Sequence, residues 1–157
     1  MLSLPLCIIP ARMDSSRYPG KPLVHLKGLP LILHVYERCR LFAGFSDVIV
    51  ATCDEEIKEV VENHGGEVVM TSRHHERATD RVQEAVELLR PDMEENNVVM
   101  MIQGDELLVE PGMISEVLET QKKSGARVVN FGSRLEPEDH KDPNTVKLVA
   151  APDGNIL

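Results

Sequence analysis

Three cations, Arg12, Arg17 and Lys21, fall within one short stretch, IPARMDSSRYPGKPL (9–23), directly behind the apolar run Leu6-Cys7-Ile8-Ile9. Arginine pairs with phosphate through two parallel N–H groups, and lysine adds a compact charge. Gly20 and Pro19 let the backbone approach a ligand closely along a fixed path. The stretch therefore reads as a cradle for a polyphosphate. The alternative is a solvated connecting loop, which accounts for its polarity but not for three cations in a chain of net charge −9. Residues 7–40 hold six cations against Asp14 and Glu37, so the positive charge is an island. An island suits a small anionic ligand. A nucleic-acid groove would want basic charge spread over a face, and with 3% aromatic residues and no Trp the chain lacks stacking platforms for single strands.

A second constellation follows the apolar run NVVMMI (97–102): Gln103-Gly104-Asp105-Glu106. A carboxylate at a strand end beside bound phosphate is a common way to hold Mg²⁺, which keeps several waters and uses few protein ligands. Asp105, following the flexible Gly104, is the metal-ligand candidate, with Glu106 in support; the alternative is an exposed turn. A third cluster, His74, His75, Arg77, Asp80 and Arg81, precedes and enters a helix. Thr79 or nearby backbone N–H groups could cap that helix and meet an anion. Adjacent histidines rarely share a metal, so His74 and His75 are not read as a pair. The sequence contains no GxSxG, GxxxxGK[ST] or GxGxxG, so hydrolase, P-loop kinase and dinucleotide oxidoreductase readings lack their signatures.

These groups need a frame that brings them to one edge. Apolar runs of strand length alternate with helix-period segments. Strands are expected at Leu6–Ile9, Asp47–Thr52, Glu67–Met70, Asn97–Ile102, Arg127–Asn130 and Asn144–Ala150. The run 97–102 reads as buried on both faces. Helices are expected near 31–42, after a capping Asp54, over Thr79–Leu89, and over Met113–Lys123. This alternation indicates an open, mostly parallel α/β sheet with helices on both sides. Ligands of such sheets gather at the carboxyl ends of the strands. The segments 10–23, 71–81 and 103–110 all leave strands toward that edge.

The 157 residues are enough for one domain with a real core, and the chain reads as a single domain over 1–157. Cys7, Cys39 and Cys53 show neither CxxC spacing nor an even count, so no disulfide framework or zinc site is implied. Without a signal-like start or a spanning apolar run, the expected location is the cytoplasm. Pro152-Asp153-Gly154-Asn155 is a hairpin-turn signal followed only by Ile156 and Leu157. The expectation is a hairpin that begins here, in a chain that stops partway through its fold.

The same motifs resemble a family. IPARMDSSRYPGKPL resembles the opening P-A-R-x-x-S-x-R-x-P-G-K-P-L signature of the sugar-acid cytidylyltransferases, closest to the 3-deoxy-manno-octulosonate (Kdo) branch. DVIVATCDEEI, GGEVVMTSRHHERATDRVQEA, IQGDE and PNTVKLVAAPDGNIL resemble its succeeding blocks in order, over essentially the whole chain. The resemblance implies a Rossmann-like three-layer α/β sandwich of the nucleotidyltransferase type and formation of CMP-Kdo and pyrophosphate for lipopolysaccharide biosynthesis. It implies CTP on Ala11, Arg12, Ser15, Arg17, Lys21, Thr79 and Gln103, with the sugar acid near Arg81 and Gln103. Lys21, Arg12 and Asp105 would be catalytic, and Asp105 would hold Mg²⁺. The sugar's anomeric hydroxyl would attack the α-phosphorus, a reaction driven by charge neutralisation and in-line positioning. A related acid, amino-Kdo or sialic-type, or an inactive nucleotide-binding fragment are the alternatives. Two departures stand out. Arg77-Ala78 replaces the family's Ser-Gly, and Leu107 replaces its proline. Family members run longer and are expected to be homodimers; their second half supplies another metal-binding aspartate and much of the sugar pocket.

Overall fold

The computed structural model describes residues 4–14, 18–94 and 96–156. The chain divides into two compact units, one ending at Ile114 and one beginning at Ser115, and each is described by itself.

The first unit is built on four parallel strands in the order β5-β4-β1-β6: β1 (Leu6–Pro10), β4 (Val48–Thr52), β5 (Glu67–Met70) and β6 (Val99–Met101). Every residue of β1 is buried, as a central strand covered on both faces requires. Ile8 pairs with Ile49 on one side and Met101 on the other, which fixes the register of the three strands. Side chains alternate faces along a strand. Leu6 and Ile8, with Ile49 and Ala51, meet Val82 and Ala85 of α3 (Ala78–Leu89). Cys7 points the other way, to Cys39 of α1 (Leu31–Arg40); that contact and burial push the Cys7 thiol far above its ordinary value. Cys7 is thus core, as its place in an apolar run suggests. Helix α2 (Glu55–Asn63) buries Ile57 and Val61, and Val61 and Tyr36 of α1 both close on Gly66.

Three features depart from the sequence reading. Strand β6 is an edge strand of this sheet, half-buried, with Met101 36% exposed; it is not buried on both faces. An apolar run reports its inner face and is blind to whether a further strand lies outside it. Helix α1 stops at Arg40, and Phe42 instead makes a T-shaped contact with Phe45, ring centroids 4.8 Å apart. A small hairpin, β2 (His25–Leu26) with β3 (Leu29–Pro30), was not anticipated by periodicity. Its two-residue turn puts Lys27 at φ 49° and Gly28 at φ 88°, the left-handed pair that a tight hairpin demands.

The second unit holds most of α4 (Pro111–Ser124) and then largely irregular backbone with a 3₁₀ turn at Pro137–Lys141. The expected strands at 127–130 and 144–150 are absent; among the described residues of this unit one antiparallel bridge, Ala150 to Ile156, pairs. Val128, Val146, Leu148 and Val149 are exposed, so strand propensity alone does not order these segments, and a lone strand is not stable in water. The turn itself forms: Ala151 donates to the Asn155 carbonyl at 2.8 Å, with Gly154 at φ 89°.

Candidate functional site

The carboxyl ends of β1, β4, β5 and β6 share one edge, because all four strands are parallel. A cleft of about 350 Å³ opens there, lined by Ala11, Arg12, Lys21, Arg81, Gln103 and Asp105 among others. Six of the sequence candidates therefore converge. Ser15 and Arg17 lie outside the described residues. Thr79 is not on the cleft wall: it is exposed in the first turn of α3, its hydroxyl 3.4 Å from Asp80. Nor does it cap the helix, since Arg77 occupies the N-cap position.

The first loop leaves β1 at Pro10 and turns back at Gly20, whose φ of 74° is left-handed. Gly20 N–H donates to the Met13 carbonyl at 2.9 Å, and Lys21 then enters a 3₁₀ turn, Lys21–Leu23. One hydrogen bond thus brings the neighbours of Arg12 and Lys21 together. Arg12 is exposed and donates to the His75 carbonyl at 3.3 Å, tying this loop to the one after β5.

Across the cleft, Gly104 follows β6 with its N–H 3.3 Å from the Pro10 carbonyl. A Cβ there would lie 3.0 Å from that oxygen and 3.3 Å from the Ala11 methyl. The glycine is needed for close approach, not for flexibility. It sets Asp105 opposite Lys21, and the two side chains meet at 2.5 Å while 46% and 39% exposed. An exposed pair contributes only about 0–1 kcal/mol. A ligand with its own anion and cation can therefore displace it at little cost.

Arg81 is a buried cation, 3% exposed. It donates to the Thr71 hydroxyl through one nitrogen and lies 3.5 Å from Cys53 Sγ through another. The loop after β5 is held by Glu84, which accepts from Ser72 N–H at 2.7 Å and meets His75 Nε2 at 2.5 Å. The Ser72 N–H, then the histidine, hold the Glu84 carboxyl below its ordinary value. Arg77 also lines the cleft and is exposed, where the sequence reading marks a departure from Ser-Gly.

Sequence reasoning took Asp54 as the cap of α2. It does occupy the N-cap position, yet its side chain makes no capping hydrogen bond. Its carboxylate instead accepts from Met13 N–H at 2.8 Å, with Arg73 at 3.7 Å. The signal was available: β4 ends at Thr52, and of the four parallel strands in this sheet it is the one whose exit the reading leaves out.

A metal at this edge would draw on Asp105. Among the described residues no group of three His, Cys, Asp or Glu side chains could hold an ion by itself. One rim carboxylate suits Mg²⁺, which takes phosphate and water for its remaining positions, and does not suit an ion needing a protein cage.

The chain's match to the cytidylyltransferase family model runs over residues 6–157. The chain belongs to that family. The 3-deoxy-manno-octulosonate cytidylyltransferase of Thermodesulfovibrio yellowstonii is 40% identical over 156 residues, covering 97% of this chain and 61% of its own. The 8-amino-3,8-dideoxy-manno-octulosonate cytidylyltransferase of Shewanella pealeana is also 40% identical, covering 96% and 62%. Among solved structures, CMP:2-keto-3-deoxy-manno-octonic acid synthetase complexed with CTP superposes with a TM-score of 0.71 at 38% identity. That match covers 79% of this chain and 49% of the synthetase, and it supports the α/β nucleotidyltransferase fold expected from the sequence. The chain spans about 60% of the length of these curated cytidylyltransferase relatives.

Proposed function

We propose that this cytidylyltransferase chain binds CTP in the cleft and serves transfer of the cytidylyl group to 3-deoxy-manno-octulosonate, giving CMP-Kdo and pyrophosphate. The observation that carries the reading is the exposed Lys21–Asp105 pair across the cleft mouth. A triphosphate takes the lysine, and the freed carboxylate faces the same phosphates. Arg12 adds a second cation at the rim; Ala11 and Gln103 line the wall toward the nucleotide. Arg81, buried and cationic at the inner wall, suits the carboxylate of the sugar acid. Mg²⁺ held at Asp105 would neutralise charge on the phosphates when bound. The residues supply orientation and charge rather than a covalent intermediate, as the reaction class requires. A CTP-consuming step belongs where nucleoside triphosphates are held, so we place the protein in the cytoplasm; among the described residues no helix is long and apolar enough to cross a membrane.

A second reading, transfer to the 8-amino-3,8-dideoxy sugar acid, draws on the Shewanella relative at the same identity. Pyrophosphate release with CTP, Mg²⁺ and a panel of sugar acids separates them. Release with Kdo supports the first reading, and release only with the 8-amino sugar acid supports the second. Mg²⁺-dependent CTP binding without release would make this chain a nucleotide-binding piece that does not turn over alone. Absence of CTP binding would overturn all three.

A further inference from the structure

An aspartate at a helix N-cap ordinarily turns its oxygen onto its own helix. Asp54 does not. Its side chain is 10% exposed, and its Oδ2 accepts from the Met13 amide, 41 residues away, at 2.8 Å. Met13 is gripped on both sides of the residue: its N–H by Asp54 and its carbonyl by Gly20 N–H at 2.9 Å. Arg12 and Lys21 are the chain neighbours of those two residues and both line the cleft. Beside Asp54, Cys53 Sγ lies 3.6 Å from the same oxygen and 3.5 Å from Arg81 Nη2. Arg73 reaches the other oxygen at 3.7 Å but is 71% exposed, so it adds little.

We propose that Asp54 is a positioning residue for the cationic loop: by anchoring the Met13 amide it fixes the spacing of Arg12 and Lys21 at the cleft. Only the consequence for CTP rests on the reading of the cleft as a CTP site. The strand end supplies rigidity, because β4 is buried at the sheet centre and its last residue, Thr52, binds the Asp54 amide through its hydroxyl at 3.2 Å. A buried carboxylate on a rigid strand end is a firm point from which to hold a loop.

The test uses the full chain and three substitutions, Asp54→Asn, Asp54→Ser and Asp54→Ala. Serine caps a helix well but is too short to reach Met13, so it separates anchoring from capping. Amide exchange at Met13 and Gly20 without nucleotide, and CTP titration with Mg²⁺, are measured on each. With Asp54→Ser and Asp54→Ala, protection at both amides is expected to fall about tenfold or more, and CTP to bind about tenfold more weakly, the loss typical of a charged hydrogen bond. Asp54→Asn keeps an acceptor and should recover most of both. Wild-type protection in Asp54→Ser would overturn the inference, as would a loosened loop with unchanged CTP affinity. If the wild type binds no CTP while Asp54→Ser still loosens the loop, the CTP reading falls and the anchoring stands.

Discussion

Met13 and Asp142 both sit in irregular backbone, but their neighbourhoods are satisfied in different ways. Met13 is held from afar, by Asp54 of the β4 exit, and its loop's lysine meets Asp105, 84 residues on. Asp142 is satisfied from close by: it accepts from Asn144 N–H at 2.9 Å and Thr145 Oγ1 at 3.1 Å, and the Asn144 N–H above all holds its carboxyl below the ordinary value. Asp153 repeats the pattern with Asn155. Long-range anchors arise where a sheet has already brought distant segments to one edge. Local turns need no core, and they leave Val146 and Val149 in solvent.

The contrast can be broken in order of expected effect. Ile8→Ala, at a fully buried centre, should destabilise the first unit by about 2–5 kcal/mol in denaturant melts. Gly104→Ala forces a methyl to 3.0 Å from the Pro10 carbonyl and should cost about 1–3 kcal/mol, with the Lys21–Asp105 approach disturbed. Lys21→Ala should weaken Mg²⁺–CTP binding by about 10- to 100-fold while leaving the melt almost unchanged; an unaltered affinity would remove Lys21 from the site. Glu84→Gln acts through pH. The folded-state pKa lies below the ordinary 4.5, so the ionised Glu84 stabilises above that value and the contribution is lost as pH falls through the depressed one. The variant should be less stable than wild type at neutral pH, with the gap closing in acid. Val146→Ala, at 94% exposure, should shift stability by no more than about 0.5 kcal/mol. A larger shift would show that the second unit packs this residue.

The frame of the first unit was legible because its signals are periodic. Leu6–Ile9 and the 47–52 run are central strands buried on both faces, and the helical spacing of Leu31, Ile32, Val35 and Cys39 buries one consistent face. Where a signal had two readings, pattern failed. The run at 97–102 is apolar whether the strand is central or at an edge. Strand-like residues at 144–150 state a propensity, which needs a partner to become a strand. The β2–β3 turn was hidden because Lys27, not Asn or Asp, takes the left-handed place.

For the site, residue type and spacing alone determined that a cationic loop follows the first strand and that QGDE follows the β6 run, since chain order sets what lies at each strand's exit. The tertiary structure decided which of these meet. Parallel pairing of β1 with β6 put Lys21 against Asp105, and the absence of space at Gly104 fixed how closely. It also moved Asp54 from helix cap to loop anchor and left Thr79 off the wall. A carboxylate's partner depends on which donors the fold delivers to within about 3 Å, and that distance is not written in any local stretch of sequence.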